Sequence, residues 1–139
     1  MTLEAPEFTV VHASLFNPED WPYVTTQDDA GFHFYFQEKG LCFIGHTHQV
    51  RVHRFDGERV KSIRVPKVLN LKKDIKYLVN VGSVGQPRDG SPDSSYVIYD
   101  TEKRSVSFRR VRYPFLKAAD QILNAGLPQY LALRLLEGK

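Results

Sequence analysis

Short apolar runs, broken by turn residues, alternate along this chain with stretches of helical spacing. Phe8-Thr9-Val10-Val11 is aromatic and β-branched, which predicts a short strand ending at His12. Asn17-Pro18-Glu19-Asp20-Trp21-Pro22 is a turn-rich loop. Thr25 or Thr26 can cap a helix running to about Glu38. Asp28 and Asp29 then fall in its first turn, where the helix dipole favours carboxylates, and Gly40 ends it. The unbroken apolar run Leu41-Cys42-Phe43-Ile44 reads as a buried strand that delivers Gly45-His46-Thr47-His48.

The middle and end of the chain read as hairpins followed by two helices. Val50 to Phe55 alternates apolar and polar residues, Asp56-Gly57 is a hairpin turn, and Arg59 to Val65 is the returning strand. Pro66 to Asp74 is expected to be a basic loop. Ile75 to Val81 is another strand, opening into the glycine-rich loop Gly82 to Gly90. Ser95 to Tyr99 and Val106 to Val111 form a second hairpin around Asp100-Thr101-Glu102-Lys103. Pro114 to Asn124 is a helix ended by Gly126, and Pro128 starts a last helix, Gln129 to Leu136. Leu127, Leu131, Leu133, Leu135 and Leu136 are expected to be core or dimer contacts. Strands alternating with helices place the chain in the α/β class.

Composition narrows the class of protein. A length of 139 residues suits one domain, 1–139, and 42% hydrophobic with 25% charged residues is ordinary for a globular chain. No run approaches a membrane span, and Met1 to Glu7 lacks the basic start of a signal peptide. The single cysteine, Cys42, excludes an intramolecular disulfide and sits in an apolar run. These points favour a cytoplasmic location. A net charge of +3 is too small to imply nucleic acid. Arg104, Arg109, Arg110 and Arg112, interleaved with Phe108 and Tyr113, are read as a solvated strand face rather than a nucleic-acid surface.

The histidines carry the candidate chemistry. A neutral imidazole is a good ligand for divalent transition metals. Residues i and i+2 of a regular strand face one side, and Gly45 permits a sharp turn, so His46 and His48 could reach one ion or two ions close together. Spacing alone leaves open two exposed loop histidines. His12 also ends a strand, and parallel strands of α/β proteins gather such ends at one sheet edge. Together the three look like part of a metal cluster. His33, beside Phe32 and Phe34 in the helix, is read as packing, and His53, in a hairpin strand, as a surface residue. The Gly82–Gly90 loop could form an anion nest, with Arg88 as a cation for phosphate. A plain tight loop is the alternative. It lacks the Lys-Ser/Thr ending of a P-loop.

Taken in order, His12-Ala13-Ser14, Gly45-His46-Thr47-His48 and Asn80-Val81-Gly82-Ser83-Val84-Gly85-Gln86-Pro87-Arg88 resemble the calcineurin-like metallophosphoesterases. The similarity is greatest to the bacterial and archaeal branch with diadenosine-tetraphosphatase-like and phosphodiesterase-like members. Ala125-Gly126-Leu127-Pro128 and the leucine-rich end also fit that branch. The resemblance implies an α-β-β-α sandwich with mixed and antiparallel strands and flanking helices. It implies hydrolysis of phosphate mono- or diesters at two divalent metals (Mn, Zn, Fe or Ni) bridged by an aspartate and a hydroxide. By that resemblance His12 and His46 bind the second metal and His48 the first, while Gln86 and Arg88 are placed as phosphate contacts.

The departures from the family pattern are as informative. The family's Asp-x-His, Gly-Asp and Gly-Asn-His motifs precede the histidine matched by His12, yet the eleven residues before His12 contain no Asp, His or Asn. The chain therefore resembles the C-terminal half of the fold. The bridging aspartate is missing, and no catalytic acid or base is assigned. Three neutral imidazoles cannot balance two dications, so at most one ion is expected, most plausibly zinc. The expected partners are a phosphate-ester substrate and either the N-terminal half of a longer protein or a second copy in a homo-oligomer. This chain alone is expected to be inactive. The alternative is a non-catalytic binding or scaffold module of the same fold.

Overall fold

The apolar runs that read as strands in the sequence do pair, and three of them pair in parallel. A computed structural model describes residues 2–139. The elements are β1 (Thr2–Glu4), β2 (Phe8–Val11), α1 (Gln27–Phe36), β3 (Leu41–Ile44), β4 (Val50–Phe55) and β5 (Val60–Ile63). They continue with β6 (Val68–Asn70), β7 (Lys76–Val81), β8 (Ser94–Asp100), β9 (Ser105–Val111), α2 (Phe115–Asn124) and α3 (Gln129–Glu137). A six-stranded sheet has the order β1-β2-β3-β7-β4-β5, and a three-stranded sheet the order β6-β9-β8. Strands β2, β3 and β7 run parallel, and all other pairings are antiparallel. The mixed α/β architecture matches the expected class.

The pleat of the large sheet builds two cores. The register aligns Thr9, Cys42, Leu78, His53 and Ser62 across five strands. Val11, Cys42, Ile44 and Leu78 face α1, where they pack with Val24, Ala30 and Phe34. Their neighbours Leu41, Phe43, Val52, Tyr77 and Val79 face the small sheet and meet Leu69 and Val106. Strands buried on both faces read as continuous apolar runs, which is why β3 showed no alternation. Cys42 is fully buried, and burial pushes its thiol up to about 12, so it is inert as a nucleophile. Helices α2 and α3 pack through Ala119, Ala132 and Leu135.

Local chemistry fixes the ends of α1. Thr26 caps it: its hydroxyl accepts from Asp29 N (3.1 Å), and the Asp29 carboxylate accepts from Thr26 N (2.9 Å). The helix stops at Phe36, short of the expected Glu38. Gln37 is extended there because its side-chain amide donates to the carbonyls of Lys39 (2.7 Å) and Tyr77 (3.2 Å).

Several expectations need correction. The segment read as a basic loop contains β6, three residues held by β9 with Leu69 opposite Val106. So short a strand has no room for a period-2 pattern. Strand β1 was also unforeseen: all three of its residues are exposed, and its pairing to β2 supplies the order. His53 is not on the surface but 1% exposed, because the register turns it toward α1 between Leu78 and Ser62, whose hydroxyl lies 3.0 Å from Nδ1.

His33 packs as expected and is fully buried beneath α1. Its Nδ1 accepts from Leu15 N (3.2 Å) and lies 3.3 Å from the Ser14 hydroxyl. Burial pushes its pKa down to about 4, partly offset by the nearby Gln37 amide. An unfolded histidine titrates near 6.5. Between these values the unfolded chain binds more protons, so stability is full above about pH 6.5 and falls as pH drops toward 4. The expected loss is on the order of 3 kcal/mol. Urea unfolding midpoints across this pH range check it, and His33→Gln should flatten the dependence.

Candidate metal centre

The three parallel strands end side by side, and each hands its last residue to a loop that carries candidate chemistry. His12 follows β2, Gly45 to His48 follow β3, and the Gly82 loop follows β7. Carboxyl ends of parallel strands are where α/β proteins hold ligands. The first two ends are tied directly: Gly45 N donates to the carbonyl of His12 at 2.9 Å. Added atoms at Gly45 would meet only an ordinary contact with that carbonyl, so crowding does not demand glycine there.

The turn after β3 is made by the histidines themselves. His46 (φ 63°) and His48 (φ 60°) are both left-handed, an uncommon conformation for non-glycine residues. Thr47 N donates back to the Gly45 carbonyl at 2.7 Å, closing a three-residue turn over His46. The strand rule of i and i+2 on one face therefore does not apply, since β3 ends at Ile44. Asn80, buried on β7 opposite Ile44, holds the turn. Its amide donates to the Gly45 carbonyl (2.7 Å) and the Thr47 hydroxyl (2.9 Å), and its carbonyl oxygen accepts from Gly82 N (3.1 Å).

The turn brings two of the three histidines into contact. His12 Nε2 and His46 Nδ1 are 3.1 Å apart. Two nitrogens each roughly 2.0–2.1 Å from one ion stand about 3 Å apart when they subtend an angle near 100°. The third, His48, lines the same open cavity of ≈ 450 Å³ together with His12, His46, residues 81–84 and Tyr96. Its Nδ1 donates to the Gln86 carbonyl at 2.8 Å, which leaves Nε2 as the lone-pair nitrogen. No third His, Cys, Asp or Glu closes a metal-sized cluster among the described residues. Burial, followed by the charges of His12, His48 and Arg88, holds His46 below the ordinary imidazole range. Burial does the same for His48, with Arg88 and Arg134 adding to it and the Gln86 carbonyl opposing it. Both rings are thus neutral at pH 7, the form that ligates metals.

Arg88 and Gln86 are found with each other. The Gln86 side-chain carbonyl accepts from Arg88 Nη2 at 2.7 Å, and Arg88 N donates to the His48 carbonyl at 2.9 Å. Neither lines the cavity, although the guanidinium is near enough to lower both imidazoles. Gly82 is sterically required: at φ 80° an added Cβ would lie 2.7 Å from Val50 and 2.8 Å from the Ser95 hydroxyl. The Ser83 carbonyl accepts from Ser95 N at 2.8 Å, docking the loop on β8.

Sequence reasoning missed Asn80, Thr47, Tyr96 and the aromatic pair Trp21 and Tyr23. Tyr23 lies over His46 with ring centroids 4.2 Å apart, and Trp21 meets His12 edge-on at 5.0 Å. For the aromatic pair the Trp-Pro-Tyr run gave the one signal, masked by its turn-rich setting.

No family model matches the chain. The chain superposes on the crystal structure of a metallophosphoesterase from Sphaerobacter thermophilus with TM-score 0.88 and 34% identity, over 99% of this chain and 58% of that one. Its fold is that of the calcineurin-like metallophosphoesterases. An uncharacterised protein of Methanocaldococcus jannaschii is 37% identical over 130 residues, covering 92% of this chain and 50% of its own length. The chain thus spans about half the length of the relatives it matches. No helix among the described residues is long and apolar enough to cross a membrane.

Two substitutions test the frame of this centre. Asn80→Ala strips partners from buried groups on both loops and should cost about 2–3 kcal/mol, read as a lower urea midpoint at unchanged slope. Gly82→Ala combines a left-handed backbone with steric overlap and should destabilise by at least about 1–2 kcal/mol in the same assay. Wild-type stability in either variant would refute the role given to that residue.

Proposed function

We propose that this chain contributes the histidine side of a metal-dependent phosphoesterase centre acting on phosphate mono- or diesters. The observation that carries the reading is the 3.1 Å approach of His12 Nε2 to His46 Nδ1 at the ends of two parallel strands. These two nitrogens would hold one divalent ion. His48 Nε2, oriented by the Gln86 carbonyl, would ligate at the same cavity. When bound, the ion supplies Lewis acidity toward a phosphoryl oxygen and acidifies coordinated water. The chain's own residues bind and orient: His12 and His46 converge, Asn80 keeps the turn rigid, and Arg88 places a cation beside His48 for phosphate.

The donor set suits one ion and not two. Three neutral imidazoles offer no charge to offset two dications held close together, and no carboxylate joins His12 and His46 among the described residues. We therefore infer that the acidic ligands come from outside these residues, from a further segment or from a second copy. Taken alone, the 139-residue chain would have negligible turnover. The lack of a third ligand at His12 and His46 also favours a second reading, a non-catalytic binding module of the same fold.

Calorimetric titration with zinc separates the two. The phosphoesterase reading predicts one zinc per chain, weakened at least tenfold in His46→Ala; no binding leaves the module reading. Hydrolysis of bis-p-nitrophenyl phosphate with manganese is expected to stay at background. Turnover that disappears in His46→Ala would overturn the need for further acidic ligands.

A further inference from the structure

Trp21 and Tyr23 stand against the candidate ligands yet remain 53% and 55% exposed. Rings of this size normally bury far more of their surface. Their placement is fixed by the chain around them. Asp20 N donates to the Asn17 carbonyl at 3.0 Å, closing the turn before Trp21. Pro22 restricts the backbone between the two rings. Val24 is buried at 3% exposure, and the Thr25 carbonyl accepts from Arg51 Nη1 at 2.9 Å. Trp21 also adopts φ 50°, a strained conformation for a bulky residue. Such strain persists only where surrounding structure holds it, and it concentrates at functional positions. Both rings therefore reach the imidazoles preorganised, each with part of its surface in solvent. Tyr23 lies tilted over His46 at 35°, and Trp21 contacts both His12 and His46 at centroid distances of 5.0 and 6.0 Å.

We propose that Trp21 and Tyr23 form a stacking subsite for a planar aromatic group carried on a phosphate ester. The phosphate would reach the histidine cavity while the ring, a nucleobase or an aryl group, lies on the exposed aromatic surface. The proposal rests on the phosphoesterase reading above and names the class of ester that this centre prefers. Base–aromatic stacking tolerates any planar ring, so the subsite selects for aromaticity rather than for one base. Tyr96, which lines the cavity and is 40% exposed, offers a further aromatic surface inside it.

Trp21 is the one tryptophan of the chain, so its fluorescence reports on its own surroundings. The test titrates the whole 139-residue chain with AMP, phenyl phosphate, ribose 5-phosphate and inorganic phosphate, with and without zinc. Saturable changes with AMP and phenyl phosphate, at least fivefold weaker with ribose 5-phosphate and inorganic phosphate, are expected. Tyr23→Leu should weaken AMP roughly five- to hundredfold, and Tyr23→Phe should preserve it. A response that separates AMP from phenyl phosphate shows which ring is favoured and still supports the subsite. Equal responses to AMP and ribose 5-phosphate, or an unchanged affinity in Tyr23→Leu, would overturn it. Failure of zinc to bind while AMP and phenyl phosphate still discriminate would defeat the metal reading alone.

Discussion

The side-chain amide of Asn80 is the contact on which this edge of histidines depends. One carboxamide satisfies groups from two loops, the Gly45 carbonyl and Thr47 hydroxyl on one side and Gly82 N–H on the other. Asn80 is 1% exposed, so its hydrogen bonds are made away from competing water. Without it, the left-handed turn through His46 would lose both of the bonds that tie it to β7. Left-handed backbone at two non-glycine residues in three is unfavourable in isolation and needs an outside partner to persist. Asn80 can serve because β7 lies beside β3 with Asn80 opposite Ile44, one residue before the turn begins.

That adjacency comes from the sheet's two-sided burial. A slip of one residue in β3 or β7 would exchange the face against α1 with the face against the small sheet. Cys42, Ile44 and Leu78 fit the first face, and Leu41, Phe43 and Val79 the second. Apolar packing thus fixes the register, and the register fixes which polar side chain stands at the end of each strand. The same logic buries His53 and exposes Val10, two residues whose types alone suggest the reverse.

The sequence revealed the strand ends and the histidines because both rest on local signals: apolar runs, glycines and imidazole spacing. The hairpins of β4 with β5 and β8 with β9 were legible for the same reason. What stayed hidden depends on pairing across distance. β6 is ordered only by β9, and β1 only by β2. Asn80 appeared as one residue of a motif, with nothing to show that its amide would span to a turn 33–35 residues earlier. Spacing alone makes His46 and His48 strand-like neighbours, whereas the turn separates them: one ring meets His12 and the other the Gln86 carbonyl. The aromatic pair lay in a loop whose composition suggested only a turn, and its contact with the imidazoles depends on Val24 anchoring the segment in the core.

The electrostatics of this edge argue for a divided site. His46 and His48 are held neutral by burial, with the charges of Arg88 and His12 adding to it, and no carboxylate stands with His12 and His46 among the described residues. An edge of imidazoles and a guanidinium suits an anion such as phosphate and resists accumulating cations. Two divalent ions held together would need negative ligands facing these rings from elsewhere. Residues that recognise the ester and residues that balance the metal's charge would then occupy different parts of the complete fold. The fold similarity covers 58% of the length of the metallophosphoesterase it matches. Under the proposed function, the aromatic and basic character of the edge would serve one task, holding a phosphate ester in place.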